Sequence, residues 1–89
     1  MKTMIVMLGD PASVARQCEA ALQVADACLN HFAGVWVIRS PHDEKWWLER
    51  LLAVANDPEF QFAVMRVSVH RTEGVLPDEV WRWLDQHGA

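Results

Sequence analysis

The sequence predicts a small domain that mixes strands and helices, and three features of the chain indicate this. Two continuous apolar runs, Thr3–Leu8 and Val35–Ile38, contain β-branched residues and favour strands buried on both faces. A polar residue and a proline follow each run, at Asp10-Pro11 and Ser40-Pro41, and this pairing is typical of a helix start. After each proline, apolar residues recur at helical spacing.

The size and composition limit what the chain does. We expect its 89 residues to form one domain, spanning residues 1–89. The chain has 8 basic and 12 acidic residues and a net charge of −4, so we do not expect nucleic acid as a partner. The first apolar run is too short for a signal peptide or a membrane span, which favours a cytoplasmic protein without membrane association. Cys18 and Cys28 form no disulfide framework, so we expect reduced thiols.

The end of the first helix is ambiguous. Its apolar stripe begins at Val14 and stays in phase as far as Leu29, which favours one long helix that stops at Gly34. The rival interpretation is a helix ending near Ala25, a short strand at residues 27–30 and a hairpin into the Val35 strand. Periodicity does not distinguish the two.

The second helix is predicted to run from Pro41 to about Ala55. Ser40 is its expected N-cap, and Asp43 adds negative charge in the manner of a capping box. The Asn56-Asp57-Pro58 segment ends it. The predicted buried stripe consists of Leu48, Leu51, Leu52 and Ala55, with Trp47 and Val54 beside it.

The residue pattern in the last third of the chain predicts a strand and a helix. The strand extends from Phe60 to Val69, and its apolar parity slips near Met65, which suggests a bulge. Residues 72–74 are a predicted turn. Pro77 opens the final helix, whose buried face is expected to carry Val80, Trp83, Leu84 and His87.

Several residues together carry a resemblance to a known family. They are Asp10 after strand one, Val35–Ile38, the leucines of helix two, Asn56-Asp57, and Leu76-Pro77 before the last helix. Their order resembles the small bacterial ferredoxin-like proteins called SinR-like, which are similar in outline to the CRISPR-associated integration adaptor and to virulence-associated protein D. The resemblance covers most of the chain and implies a βαββαβ core, in which residues 27–38 form a hairpin.

With this resemblance, we predict an α+β fold: a ferredoxin-like βαββαβ sheet with a C-terminal helix. The alternative is an α/β fold, a three-stranded βαβαβα unit. The nuclease-associated proteins of this outline use an aspartate at the end of strand one, paired across a dimer, to hold a metal. Asp10 is the candidate that the resemblance implies for that role.

The residues themselves favour structural roles for the polar candidates. Asp10 is predicted to cap the first helix by accepting from the backbone N–H of Ala12 or Ser13. The pairs His42-Asp43 and His70-Arg71 could act in acid–base chemistry and in phosphate binding, but exposed positions account for both. The sequence has no zinc spacing, phosphate-cradling loop or nucleophile signature, so we assign no metal, cofactor or catalytic residue.

The five tryptophans give the clearest functional signal. Trp36, Trp47 and Trp83 are expected in the core, because they lie in a buried strand or beside helical stripes. Trp46 and Trp81 lie off these stripes, and tryptophan is enriched at binding hot spots. The predicted partner-binding residues are therefore Trp46, Arg50, Trp81 and Asp85.

These observations favour a non-enzymatic protein–protein interaction module, of the inhibitor or immunity kind, that acts as a homodimer. A domain of this size gains from burying more surface, and the strand from Phe60 is long enough to pair with a copy of itself. The alternative is a metal-dependent nuclease resembling the CRISPR-associated or toxin ferredoxin-like nucleases.

Overall fold

A computed structural model of the chain describes residues 1–68, 74–75 and 77–87. The described residues form four strands and three helices. In chain order these are β1 (Lys2–Leu8), α1 (Ala12–Leu22), β2 (Ala27–Phe32), β3 (Val35–Ser40), α2 (Glu44–Ala55), β4 (Phe62–Arg66) and α3 (Asp78–His87).

The four strands form one antiparallel sheet in the order β2-β3-β1-β4. Strand β1 is central and pairs with β3 on one side and with β4 on the other. The hairpin interpretation of residues 27–38 is therefore confirmed, and the three-stranded alternative is wrong. The domain is a small α+β domain, compatible with the ferredoxin-like class.

One face of the sheet, here called the helix face, is covered by α1 and α2. Met4, Val6, Trp36 and Ile38 point to this face and are at most 9% exposed. Buried residues from both helices complete the same cluster: Ala15, Cys18, Ala21, Leu22, Trp47, Leu51 and Ala55. This is the main core of the domain.

The opposite face, here called the second face, carries Thr3, Ile5 and Met7 of β1, because side chains alternate along a strand. Helix α3 packs against β2, and its buried Val80 and Leu84 are not part of the helix-face cluster. We infer that α3 covers part of the second face. Thr3 is buried there, whereas Met7 at the other end of β1 is exposed.

The structure corrects the predicted start of helix α1. Pro11 is the N-cap and its carbonyl accepts from the N–H groups of Val14 and Ala15, so the helix begins one residue later than Asp10 capping requires. No side-chain cap hydrogen bond is found for this helix in the described chain. The Asp10 carbonyl instead accepts from the Gln61 N–H, at 3.5 Å.

Helix α2 also begins later than predicted, and its cap is Asp43 rather than Ser40. The Asp43 carboxylate accepts from the Trp46 N–H at 2.9 Å. Ser40 is still part of β3, and its hydroxyl accepts from the His42 N–H at 3.1 Å, which shapes the turn between strand and helix. Asn56 ends the helix in the left-handed conformation, with φ 47°.

The buried stripe of α2 is rotated relative to the prediction. Trp47, Leu51 and Ala55 are buried, as the 3.6-residue period allows for positions i, i+4 and i+8. Leu48 and Leu52 are 43% and 53% exposed, so their predicted core positions are wrong. The large indole of Trp47 is fully buried in the helix-face cluster.

Strand β4 is shorter and more regular than predicted. Its residues pair with Met4–Leu8 in unbroken register, so the described part of the strand has no bulge at Met65. The predicted extension to Val69, the pair His70-Arg71 and the start of the turn at 72–74 lie outside the described residues. The final helix follows Pro77 as predicted, with Val80 and Leu84 buried, while its Trp83 and His87 are half-buried.

The revised caps give a first prediction. Asp43→Ala is expected to lower the free energy of unfolding by about 1 kcal/mol, because the Trp46 N–H loses its acceptor. Asp10→Ala is expected to change it by less than about 0.5 kcal/mol, since its side chain does not cap α1. Urea denaturation measures both, with Asp43→Asn as the control that keeps the cap. A larger loss for Asp10→Ala than for Asp43→Ala would contradict this assignment.

The rotated stripe gives a second prediction, for two adjacent leucines in the same helix. Leu51→Ala is expected to cost about 2–5 kcal/mol, because Leu51 is fully buried and its removal leaves a cavity. Leu52→Ala is expected to cost less than about 1 kcal/mol, since half of its side chain is exposed. Thermal and urea unfolding of both variants check the difference. Equal losses would show that Leu52 belongs to the core after all.

Candidate protein-interaction surface

Trp46 lies in the first turn of α2, where the Asp43 cap fixes the backbone. Its ring stacks on His42 with 3.8 Å between ring centroids and an interplanar angle of 9°. Its other neighbour is the buried Trp47, in an edge-to-face contact at 4.9 Å. Trp46 is 36% exposed, so one side of this aromatic group stays open to a partner.

Arg50 follows Trp46 by one helical turn and is exposed. The two residues lie in the same i, i+4 row of α2, so their side chains are neighbours on the helix surface. This row and the row of Leu48 lie on different flanks of the helix, because consecutive residues are about 100° apart.

The other predicted pair lies on α3. Trp81 is half-buried and Asp85 is exposed one turn further along the helix. The remaining tryptophan of this helix, Trp83, contacts His87 at 4.8 Å between ring centroids. Helix α3 has three carboxylates and one guanidinium, so its exposed surface is acidic.

The structure does not bring the four predicted partner-binding residues together. Trp46 and Arg50 are on α2, which packs over β4, whereas Trp81 and Asp85 are on α3, which packs against β2. Strands β4 and β2 are the opposite edges of the sheet. The four residues therefore form two separate positions on the domain.

A third surface, which the sequence did not indicate, lies on the second face of the sheet. Met7 aligns with Val35 and Ala63, and Val35 aligns with Phe32, so these side chains share one row across all four strands. Met65 belongs to the adjacent row, opposite Ile5.

Three residues of this open part of the second face are large, apolar and exposed. Met7 is 42%, Phe32 55% and Met65 40% exposed. Exposed apolar side chains in neighbouring rows of one sheet face favour a binding surface. The sequence gives little signal for it, because β1 and β3 are apolar on both faces and their exposed ends look like their buried centres.

The polar candidates do not assemble into a reactive group. Asp10 is exposed, and no set of three His, Cys, Asp or Glu residues within the described ranges could hold a metal ion. His42 contacts Trp46, and Asp43 serves as the helix cap. The nuclease alternative and the role of Asp10 in it stay predictions.

Both cysteines are free thiols, as predicted. Cys18 lies on the buried face of α1 and is fully buried, and burial raises the pKa of its thiol above the ordinary value. Cys28 is half-buried in β2, where its sulfur lies 3.7 Å from Oε1 of Gln23.

The environments of the two thiols predict different reactivities. Cys28 is expected to react first with a disulfide reagent in the folded protein. Cys18 is expected to react only on unfolding, because it is inaccessible and its raised pKa lowers the thiolate fraction. Timed thiol titration with and without denaturant checks this, with Cys28→Ser identifying the faster group. A Cys18 thiol that reacts rapidly in folded Cys28→Ser protein would contradict the expectation.

Comparisons with known proteins do not assign the chain to a family. No protein-family model matches it, and the comparisons with curated proteins and with solved structures find no match either. None of the described helices has the length and apolar character needed to cross a bilayer. The function is therefore argued from the surfaces described above.

Proposed function

We propose that this chain is a non-enzymatic protein–protein interaction module that acts as a homodimer. The observation that carries the proposal is the open part of the second face, where Met7, Phe32 and Met65 are exposed on one side of the sheet. Apolar area of this kind is stabilised when a partner removes it from water. A protein partner fits better than nucleic acid, because the net charge is −4.

We further propose that the fold is ferredoxin-like. Support for this comes from the element order βαββαβ before α3 and from the strand order β2-β3-β1-β4. Helices α1 and α2 lie together on one face, which leaves the second face available for α3 and for a partner. In this arrangement the sheet provides a rigid support for the binding surface.

The tryptophan positions are proposed as contacts within the same function. Trp46 with Arg50, and Trp81 with Asp85, each combine an aromatic ring with a charged group one helical turn away. Aromatic residues and arginine contribute most to hot spots. Because the two pairs lie on different helices, each is proposed to contact a partner separately.

Self-association is the first test. Static light scattering is expected to show that the average mass rises toward that of two chains across the micromolar range. Trp46→Ala and Trp81→Ala are measured in parallel, with Val24→Ala as the control at an exposed apolar residue. A lower dimer fraction in either tryptophan variant places that residue in the dimer contact, and an unchanged fraction leaves it for a second protein. A wild-type protein that stays monomeric throughout would refute the homodimer.

A further inference from the structure

We propose that the second copy of the chain binds at the outer edge of β4, as an antiparallel strand related by a two-fold axis. The two sheets then join into one sheet of eight strands. This inference depends on the proposed homodimer and places it at the β4 edge, to which Met65 of the second face contributes, rather than across Met7 and Phe32. Four features of the described residues support it, each taken in turn below.

The backbone of β4 has hydrogen-bonding groups available on its outer side. Among the described residues its neighbouring strand is β1 alone. The Val67 N–H donates to the Thr3 carbonyl at 3.0 Å, and the Gln61 carbonyl accepts from Gly9 at 2.8 Å. The backbone N–H and C=O groups of the odd-numbered residues therefore point toward β1. The alternation of an antiparallel ladder then directs the backbone groups of Phe62, Val64 and Arg66 outward. These groups can pair with another strand.

The other edge of the sheet is less suited to pairing. Strand β2 pairs regularly with β3 over Ala27–Asn30, but its register shifts between Asn30 and Phe32, which marks a β-bulge or a related irregularity at the hairpin end. The Asn30 side-chain amide donates to the carbonyls of Phe32 and Val35 at 2.8 and 2.9 Å, which fixes the hairpin at this irregularity. An irregularity of this kind disfavours pairing at that end of β2, whereas β4 keeps an unbroken register with β1 over its whole length.

The one charge on β4 is neutralised by the domain itself. Charged side chains on an edge strand normally oppose pairing with another copy. Arg66 is the only charged residue of β4, and its Nε donates to a Glu44 carboxylate oxygen at 2.6 Å. The guanidinium is thereby tied to the first turn of α2. The remaining residues of β4, from Phe62 to Met65, are apolar.

Exposed apolar side chains lie on both sides of this edge. Glu44, Leu48 and Leu52 form one i, i+4, i+8 row of α2, and Glu44 in that row contacts Arg66 of β4. The row therefore lies on the side of α2 that is nearer to β4, and its two leucines are exposed on the helix-face side of the sheet. Met65 is exposed on the second face, the opposite side of the sheet.

The charges of this surface favour a copy of the same chain. Along the row and the strand, Glu44 and Arg66 cancel, and the neighbouring Lys45 and Glu49 also have opposite signs. Helix α3 has a net negative charge and would repel a second α3. A two-fold contact brings each group against the same surface of the partner, so a neutral apolar edge is the self-compatible one.

The size of the edge indicates a weak, reversible dimer. Five residues provide about 17 Å of strand, at roughly 3.4 Å per residue. Together with three exposed apolar side chains, this buries less than the roughly 800 Å² per partner of a standard interface. We therefore expect a dissociation constant in the micromolar range.

Two lysine variants and one control test the location. Leu48→Lys and Leu52→Lys are each expected to weaken dimerisation roughly tenfold or more, because a two-fold contact contains every introduced charge twice. Val24→Lys, at a comparably exposed apolar residue, is expected to dimerise as the wild type does. Sedimentation equilibrium measures the dissociation constants, and circular dichroism checks that each variant is folded.

Amide hydrogen exchange tests the strand pairing directly. In the wild type, exchange of the Phe62, Val64 and Arg66 amides is expected to slow as the concentration rises. The Ala63 and Met65 amides already face β1 and should be unaffected.

The contrary outcomes separate this inference from the proposed function. A monomeric wild type at every concentration overturns both. A wild-type dimer that Leu48→Lys and Leu52→Lys leave intact, but that Phe32→Lys dissociates, overturns the β4 edge and keeps the homodimer. A dimer without the alternating protection of residues 62, 64 and 66 overturns strand pairing.

Discussion

The hydrogen bonding of β1 on both of its sides is the constraint on which the rest of the domain depends. Strands β3 and β4 are bonded to β1 directly, and β2 is held through β3. Neighbouring backbone approaches the end of β1 so closely that two glycines are required there. A Cβ at Gly9 would lie 2.8 Å from the Gln61 carbonyl oxygen, and one at Gly34 would lie 2.8 Å from that of Leu8. Gly34 also has a φ of 74°, which other residues rarely adopt.

The sequence predicted the two central strands well, because a strand with apolar residues on both faces is a continuous run whatever its neighbours are. It did not decide between helix and strand for residues 27–30, since the same apolar residues satisfy both periods. The choice is made by tertiary pairing: residues 27–30 of β2 pair in regular register with β3, and the Asp26 N–H donates to the Arg39 carbonyl just before them. Local spacing contains no information about that partner strand.

The candidate surfaces were less predictable than the core. Helix α2 has two overlapping apolar rows, and the row that includes Trp47 and Leu51 is the buried one. Spacing alone ranked Leu48 and Leu52 as buried, although they are among the exposed apolar residues. Trp46 was correctly placed off the stripe, but its contact with His42 depends on the turn that Ser40 and Asp43 shape. The second-face surface combines residues from several strands, so its composition depends on how the strands are aligned with one another. That alignment cannot be read from local sequence spacing.

The irregular hairpin end of β2 bears on how many chains could assemble through their sheet edges. If both edges of a sheet accepted a strand, each added copy would offer a new edge, and growth would continue into a filament. Here the backbone is irregular at Asn30–Phe32, where the Asn30 amide binds two hairpin carbonyls, and this disfavours an added strand at the hairpin end of β2. If the proposed dimer forms at β4, it uses the regular edge of each copy, and the irregular end of β2 then disfavours further growth. In that assembly the Asn30 side chain would limit growth as well as fix the hairpin.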